Sequence, residues 1–149
     1  MKKSTVKIQI KVALAPEKVF DTFTNHESYR KVPLILNTKL IKEGEHTTSN
    51  GTNAIREINF IGGSLTEVVT DMQYPLYWDY LFLKWPLPMQ HLGGRMQFDK
   101  VEQGTIVTWS TEYNAEKFPK FISKSIDSMS KAFLLYAAKS LSKIALKDV

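Results

Sequence analysis

"EKFPKFISKSIDSMSKAFLLYAAKSLSKIALK", residues 116–147, decides how the rest of this chain is to be read. Phe118, Ile122, Ile126, Met129, Phe133, Tyr136, Ala137, Leu141 and Ile144 fall on a single stripe at steps of three and four. That is the period of an amphipathic helix, not of a strand. No proline or glycine follows Pro119, so the pattern predicts one helix from Glu116 to about Lys147, roughly 45 Å long. Lys117, Lys120, Lys124, Lys131, Lys139, Lys143 and Lys147 accompany the stripe. Asp127 and Lys131 stand at the spacing of a favourable i,i+4 pair. A stripe that long needs an apolar surface of similar length to lie on.

The preceding residues supply one. In "STVKIQIKVAL" (4–14), Val6, Ile8, Ile10, Val12 and Leu14 alternate with Lys7, Gln9 and Lys11. Period two with one wet face predicts a half-buried antiparallel strand. "APEKVFDTFTN" follows, with Pro16 suited to a first helical turn and Val19, Phe20 and Phe23 at helical spacing. "NHESYRKVP" predicts a second short helix, capped by Asn25 and stopped before Pro33. Turn signals then arrive at "SNG" (49–51), "GGS" (62–64), "YP" (74–75), "GG" (93–94) and "QG" (103–104). They separate β-prone runs at 36–43, 52–61, 65–73, 77–85, 95–101 and 105–113, an antiparallel meander. The order predicts an α+β fold in one domain over residues 1–149. A seven-stranded curved antiparallel sheet follows, with two short helices after strand 1 and the long helix across its concave face.

Bulk properties exclude several function classes. Hydrophobic residues make up 43% and charged residues 23%, a globular balance that argues against disorder. Without cysteine there are no disulfides and no thiolate metal sites; this fits a cytoplasmic protein. Lys7, Gln9 and Lys11 interrupt any signal-peptide-like run at the start. No stretch reaches the roughly 18 apolar residues of a spanning helix. His26, His46 and His91 are scattered without carboxylates at ligand spacing, so neither a metal nor another cofactor is expected. The net charge of +5 is modest and reads first as a solvated lysine face. A weak membrane-surface contact of the long helix is the sharper alternative. Nothing in the sequence fixes the oligomeric state.

"YPLYWDYLFLKWPLPMQ" (74–90) concentrates rings. Asp79, Lys84, Pro86 and Pro88 rule out a membrane span. A nucleic-acid stacking platform needs cations among the rings, and here only Lys84 lies within the aromatic run, so no nucleic-acid partner is expected. As a strand, 77–83 puts Trp78, Tyr80 and Phe82 on one face, the candidate concave side. Trp85, Leu87 and Met89 then sit in a proline-stiffened loop over residues 85–92, a candidate rim or lid. Two charged groups lie inside β-prone runs. Arg56 shares a face with Ala54, Ile58 and Phe60, and Glu67 with Leu65, Val69 and Asp71. Ile55 and Val68 support the opposite choice of face, so both orientations stay open. Inside, Arg56 would hold a carboxylate or enolate oxygen, and Glu67 would be desolvated toward acid–base use. His91 on the rim would be a proton shuttle.

"LAPEKVFDTFTNHESYRKVP" carries a family resemblance through Ala15, Pro16, Val19, Phe20, Tyr29 and Pro33. Asn25 stands where an aspartate is common and Val32 where an aromatic is common. Glu67 with Pro75, and Gly104, Thr105, Val107 and Trp109 with Tyr113 beyond, echo later motifs. Together they resemble the START-like (SRPBCC) superfamily, the Bet v 1-like helix-grip proteins, with its polyketide cyclase/dehydrase and lipid-transport branch. The resemblance implies a cavity between sheet and helix for a small hydrophobic ligand, lipid-like or aromatic and polyketide-like. The expected lining is Phe20, Arg56, Glu67, Trp78, Tyr80, Phe82, Trp109 and Tyr113, facing Phe118, Ile122, Met129, Phe133 and Tyr136. A cyclase or dehydratase using Arg56, Glu67 and His91 is the alternative, and a protein-interaction module presenting the 85–92 loop is a third.

Overall fold

The computed structural model describes residues 2–45 and 50–148; His46 and the start of the "SNG" turn lie outside them. The elements are β1 (Lys3–Val12), α1 (Pro16–Thr24), α2 (His26–Tyr29), β2 (Ile35–Lys42), β3 (Ile55–Phe60), β4 (Gly63–Gln73), β5 (Tyr77–Lys84), β6 (His91–Val101), β7 (Gly104–Asn114) and α3 (Lys120–Lys147). The strands form one antiparallel sheet in the order β1-β7-β6-β5-β4-β3-β2. This is the α+β helix-grip architecture expected from the element order.

Local chemistry explains the boundaries. Pro16 opens α1, and the Asn25 side chain accepts from the Glu27 N–H at 3.0 Å to start α2. The long helix begins at Lys120 rather than Glu116, because Pro119 takes the cap position. Its ring would collide with a preceding helical turn, which leaves Phe118 outside the helix. Asp127 does not serve a lysine four residues on. Its Oδ1 accepts from Ser4 Oγ at 2.8 Å and from the Tyr113 hydroxyl at 2.5 Å. One carboxylate thus fastens α3 to both β1 and β7.

The stripe on α3 divides into two parts. Leu134, Ala137, Ala138, Leu141, Ile144 and Ala145 are buried, whereas Met129, Phe133 and Tyr136 are 55%, 46% and 39% exposed. Small side chains let the C-terminal half lie close to the core. The bulkier N-terminal half leaves space beneath it.

"GG" at 93–94 is not a turn. Both glycines lie inside β6, and Gly94 pairs with Tyr80 across the β5–β6 ladder. A Cβ on Gly94 would come within 2.3 Å of the Tyr80 ring and 2.6 Å of the Ser110 carbonyl oxygen. Glycine is there to let that ring pass. Gly94→Ala is therefore expected to cost about 1–3 kcal/mol, read as a lower melting temperature with near-ultraviolet circular dichroism reporting a displaced Tyr80. Unchanged melting would contradict this close-packed reading.

Candidate functional site

A two-residue turn at Ile61–Gly62 joins β3 to β4 and sets Arg56 directly opposite Glu67. Alternation turns both side chains inward, with Ala54, Ile58, Leu65 and Val69 on the same faces. Arg56 is 0% exposed and Glu67 5%. Arg56 Nε and Nη2 both donate to Glu67 Oε1, at 3.0 and 2.5 Å. Nη1 donates to the Thr24 carbonyl oxygen and, at 2.9 Å, to Asn50 Oδ1. The guanidinium lies 4.6 Å from the Trp78 ring centre and 5.7 Å from that of Tyr29. The charge is thus paired, hydrogen-bonded and stacked, as a buried cation requires.

Beside this pair lies a cavity of about 260 Å³ between the sheet and α3. Glu67, Tyr80, Phe82, Trp85, Leu87, Trp109, Met129 and Phe133 line it. Tyr29, Ile35, Ile58, Phe60, Leu65, Pro86, Met96, Thr111, Ser130, Leu134 and Ala137 complete the wall. Ile58, Phe60, Leu65 and Thr111 follow from the same period-two faces as Arg56, Glu67 and Trp109, so a stricter use of alternation finds them. Tyr29 and Ile35 depend on how α2 docks, which no local pattern encodes.

The other residues singled out from sequence lie outside the lining. Arg56 is enclosed behind Glu67, its donors already engaged, so it does not present a site for a carboxylate or enolate. Trp78 is fully buried beneath the guanidinium, its Nε1 donating to the Asn50 carbonyl oxygen at 3.1 Å. Phe20 packs on Tyr74 and Phe98, with centroids 5.1 and 5.2 Å away. Tyr113 is committed to Asp127, and burial together with that carboxylate raises its pKa. Phe118 and Ile122 are half-buried against the core. Tyr136 donates to the Pro33 carbonyl oxygen at 3.1 Å. Met89 is buried, and its carbonyl oxygen accepts from Trp85 Nε1 at 2.8 Å.

His91 is not on a rim either. It is buried, stacked on Phe82 at 4.2 Å and on Tyr80 at 5.8 Å, with Trp85 edge-on at 5.1 Å. The β5–β6 pairing runs only from Tyr77 to Tyr80 on the β5 side. Beyond that point, the Phe82 N–H donates to His91 Nδ1 at 2.9 Å instead. The proton therefore sits on Nε2, which donates to Thr111 Oγ1 at 2.6 Å. Burial pushes the His91 pKa down to about 4, so the ring is neutral and acts as a staple across a splayed ladder.

Several other polar atoms around the hollow are matched. Tyr29 donates to the Phe23 carbonyl oxygen at 2.9 Å. Trp109 Nε1 donates to the Tyr80 hydroxyl, which donates to the Ser110 carbonyl oxygen, each at 2.9 Å. Among the described residues no group of histidines and carboxylates could hold a metal ion, and no helix is long and apolar enough to cross a membrane.

A family model described as polyketide cyclase / dehydrase and lipid transport matches residues 3–145. Among solved structures, the ZhuI aromatase/cyclase from Streptomyces sp. R1128 superposes with a TM-score of 0.79 at 11% identity, covering 98% of this chain and 95% of its own. A norcoclaurine synthase point mutant from Thalictrum flavum, in complex with a transition-state analogue, gives 0.74 at 12% identity, covering 99% and 96%. Ara h 8.0201 gives 0.72 at 10% identity, covering 98% and 99%. At such identities the likeness is one of fold. No curated protein matches the sequence.

Proposed function

This chain belongs to the polyketide cyclase/dehydrase and lipid transport family, and on that premise we propose that it binds one small, mostly apolar molecule between the sheet and α3. The observation that carries the reading is the hollow of about 260 Å³ walled by aromatic and aliphatic side chains. Ligand sites commonly enclose roughly 300–1,000 Å³, so this one suits a molecule of one or two rings or a short chain. Met129 and Phe133, half bare on α3, mark the way in.

Two observations favour holding a ligand over transforming it. Among the described residues, the lining contains one carboxylate and no histidine, lysine or arginine. Acid–base chemistry on a bound molecule needs donor and acceptor within reach of the reacting atoms, and Arg56 and His91 are both turned to structural partners. The 85–90 segment also serves the cavity better than a protein partner. Trp85 and Leu87 face the hollow, and Trp85 is tied back to Met89.

N-phenyl-1-naphthylamine, a neutral dye that brightens in apolar surroundings, tests the reading. One dye is expected per chain. Ser130→Trp, which puts a large ring on the cavity side of α3, should weaken binding by about tenfold or more with melting little changed. Absence of saturable brightening, or equal binding by the variant, would overturn the proposal.

A further inference from the structure

We propose that the cavity, if it binds an apolar molecule as argued above, selects an uncharged one carrying a hydroxyl or N–H group, and that Glu67 Oε2 is the atom that selects it. Both Arg56 donors converge on Oε1. Among the described residues, nothing donates to Oε2. Glu67 nevertheless lines the cavity and is 5% exposed. Oε2 is not sealed inside the protein, so it stays open to whatever occupies the cavity, and an acceptor without a protein donor favours any ligand that supplies one.

The remaining polar groups of the wall do not compete for that role. Tyr29, Tyr80 and Trp109 have given their hydrogens to protein oxygens. Thr111 Oγ1 already accepts from His91 Nε2. Ser130 Oγ also lines the cavity without a partner among the described residues, but a neutral hydroxyl is a weaker acceptor than a carboxylate oxygen. Among the described residues the lining therefore offers one open carboxylate oxygen and no cation.

The same arrangement discriminates against acids. A ligand carboxylate would bring a second negative charge beside Glu67 in mostly apolar surroundings, and the neutralising Arg56 is enclosed behind it. The specificity is thus the reverse of the one the arginine suggested from sequence. An alcohol or a phenol fits; the carboxylic acid on the same carbon skeleton does not.

Four probes of one shape test this at pH 7.5: 2-naphthol, naphthalene, 2-methoxynaphthalene and 2-naphthoate, each titrated by calorimetry or tryptophan fluorescence. Wild type should bind 2-naphthol about 10–100-fold more tightly than naphthalene, the worth of one charge-assisted hydrogen bond. The methyl ether should behave like naphthalene, and 2-naphthoate should bind most weakly. In Arg56→Met/Glu67→Met, checked for folding by circular dichroism, the preference for naphthol over naphthalene should vanish. Equal binding of naphthol and its ether, strong binding of naphthoate, or a preference surviving in the double variant would overturn the role of Glu67 while leaving the cavity reading intact. Failure of all four probes to bind wild type would instead remove the cavity reading, and the inference with it. If the double variant does not fold, the four-probe order in wild type decides alone.

Discussion

Arg56→Met is expected to lower folding stability by about 3–5 kcal/mol, because it leaves the Glu67 carboxylate buried without its counter-charge. It also strips a donor from the Thr24 carbonyl oxygen and from Asn50 Oδ1, so the end of α1 and the turn before β3 lose a shared anchor. Denaturant unfolding measures the loss. Arg56→Met/Glu67→Met should recover most of it, since two apolar side chains of similar length replace a pair whose desolvation roughly cancels its attraction. A single variant within about 1 kcal/mol of wild type would show that the pair carries little. A double variant as unstable as the single one would locate the cost in Thr24 and Asn50.

The second large effect is a loss of stability in mild acid. His91 has a folded-state pKa of about 4 against an ordinary 6.5. Between those values the unfolded chain binds a proton that the folded chain refuses, so acidification favours unfolding. The contribution is fully present above pH 6.5 and drains away as pH falls toward 4. Its full size is on the order of 3 kcal/mol. Below that range the protonated ring can no longer accept from the Phe82 N–H, and the staple between β5 and β6 opens. His91→Phe should be less stable than wild type at pH 8 and should lack this part of the pH dependence. Parallel stability curves for the two proteins from pH 8 to 4 would dismiss the account. The comparison also subtracts the carboxylates common to both.

Much of this was legible in the residues, and the illegible part has physical causes. Period-two alternation placed Trp78, Tyr80 and Phe82 on the concave side. It allowed Arg56 and Glu67 either face, because Ile55 and Val68 are apolar too. The hairpin would have settled more. A two-residue turn at Ile61–Gly62 forces residues whose numbers sum to 123 to face each other, which pairs Arg56 with Glu67 before any coordinates are known. What alternation cannot supply is depth. Trp78 and Tyr80 share a face, yet the first sits under Arg56 and the second beside the hollow, because α1 and α2 cover one end of the sheet and not the other. "GG" at 93–94 misled for a related reason. Gly94 answers to a ring on the neighbouring strand, and Gly93 to a positive φ of 125° at a bulge inside β6, not to a turn between strands.

The two-part character of α3 reaches beyond geometry. Its alanine-rich half is finished by the chain itself, whereas Met129 and Phe133 remain partly wetted above unfilled space. An occupant would dry those side chains and complete the interior, adding to the apolar area that water must hydrate when the protein melts. Saturation and thermal resistance are then linked by mass action. In that sense the guest acts as a missing piece of the hydrophobic core.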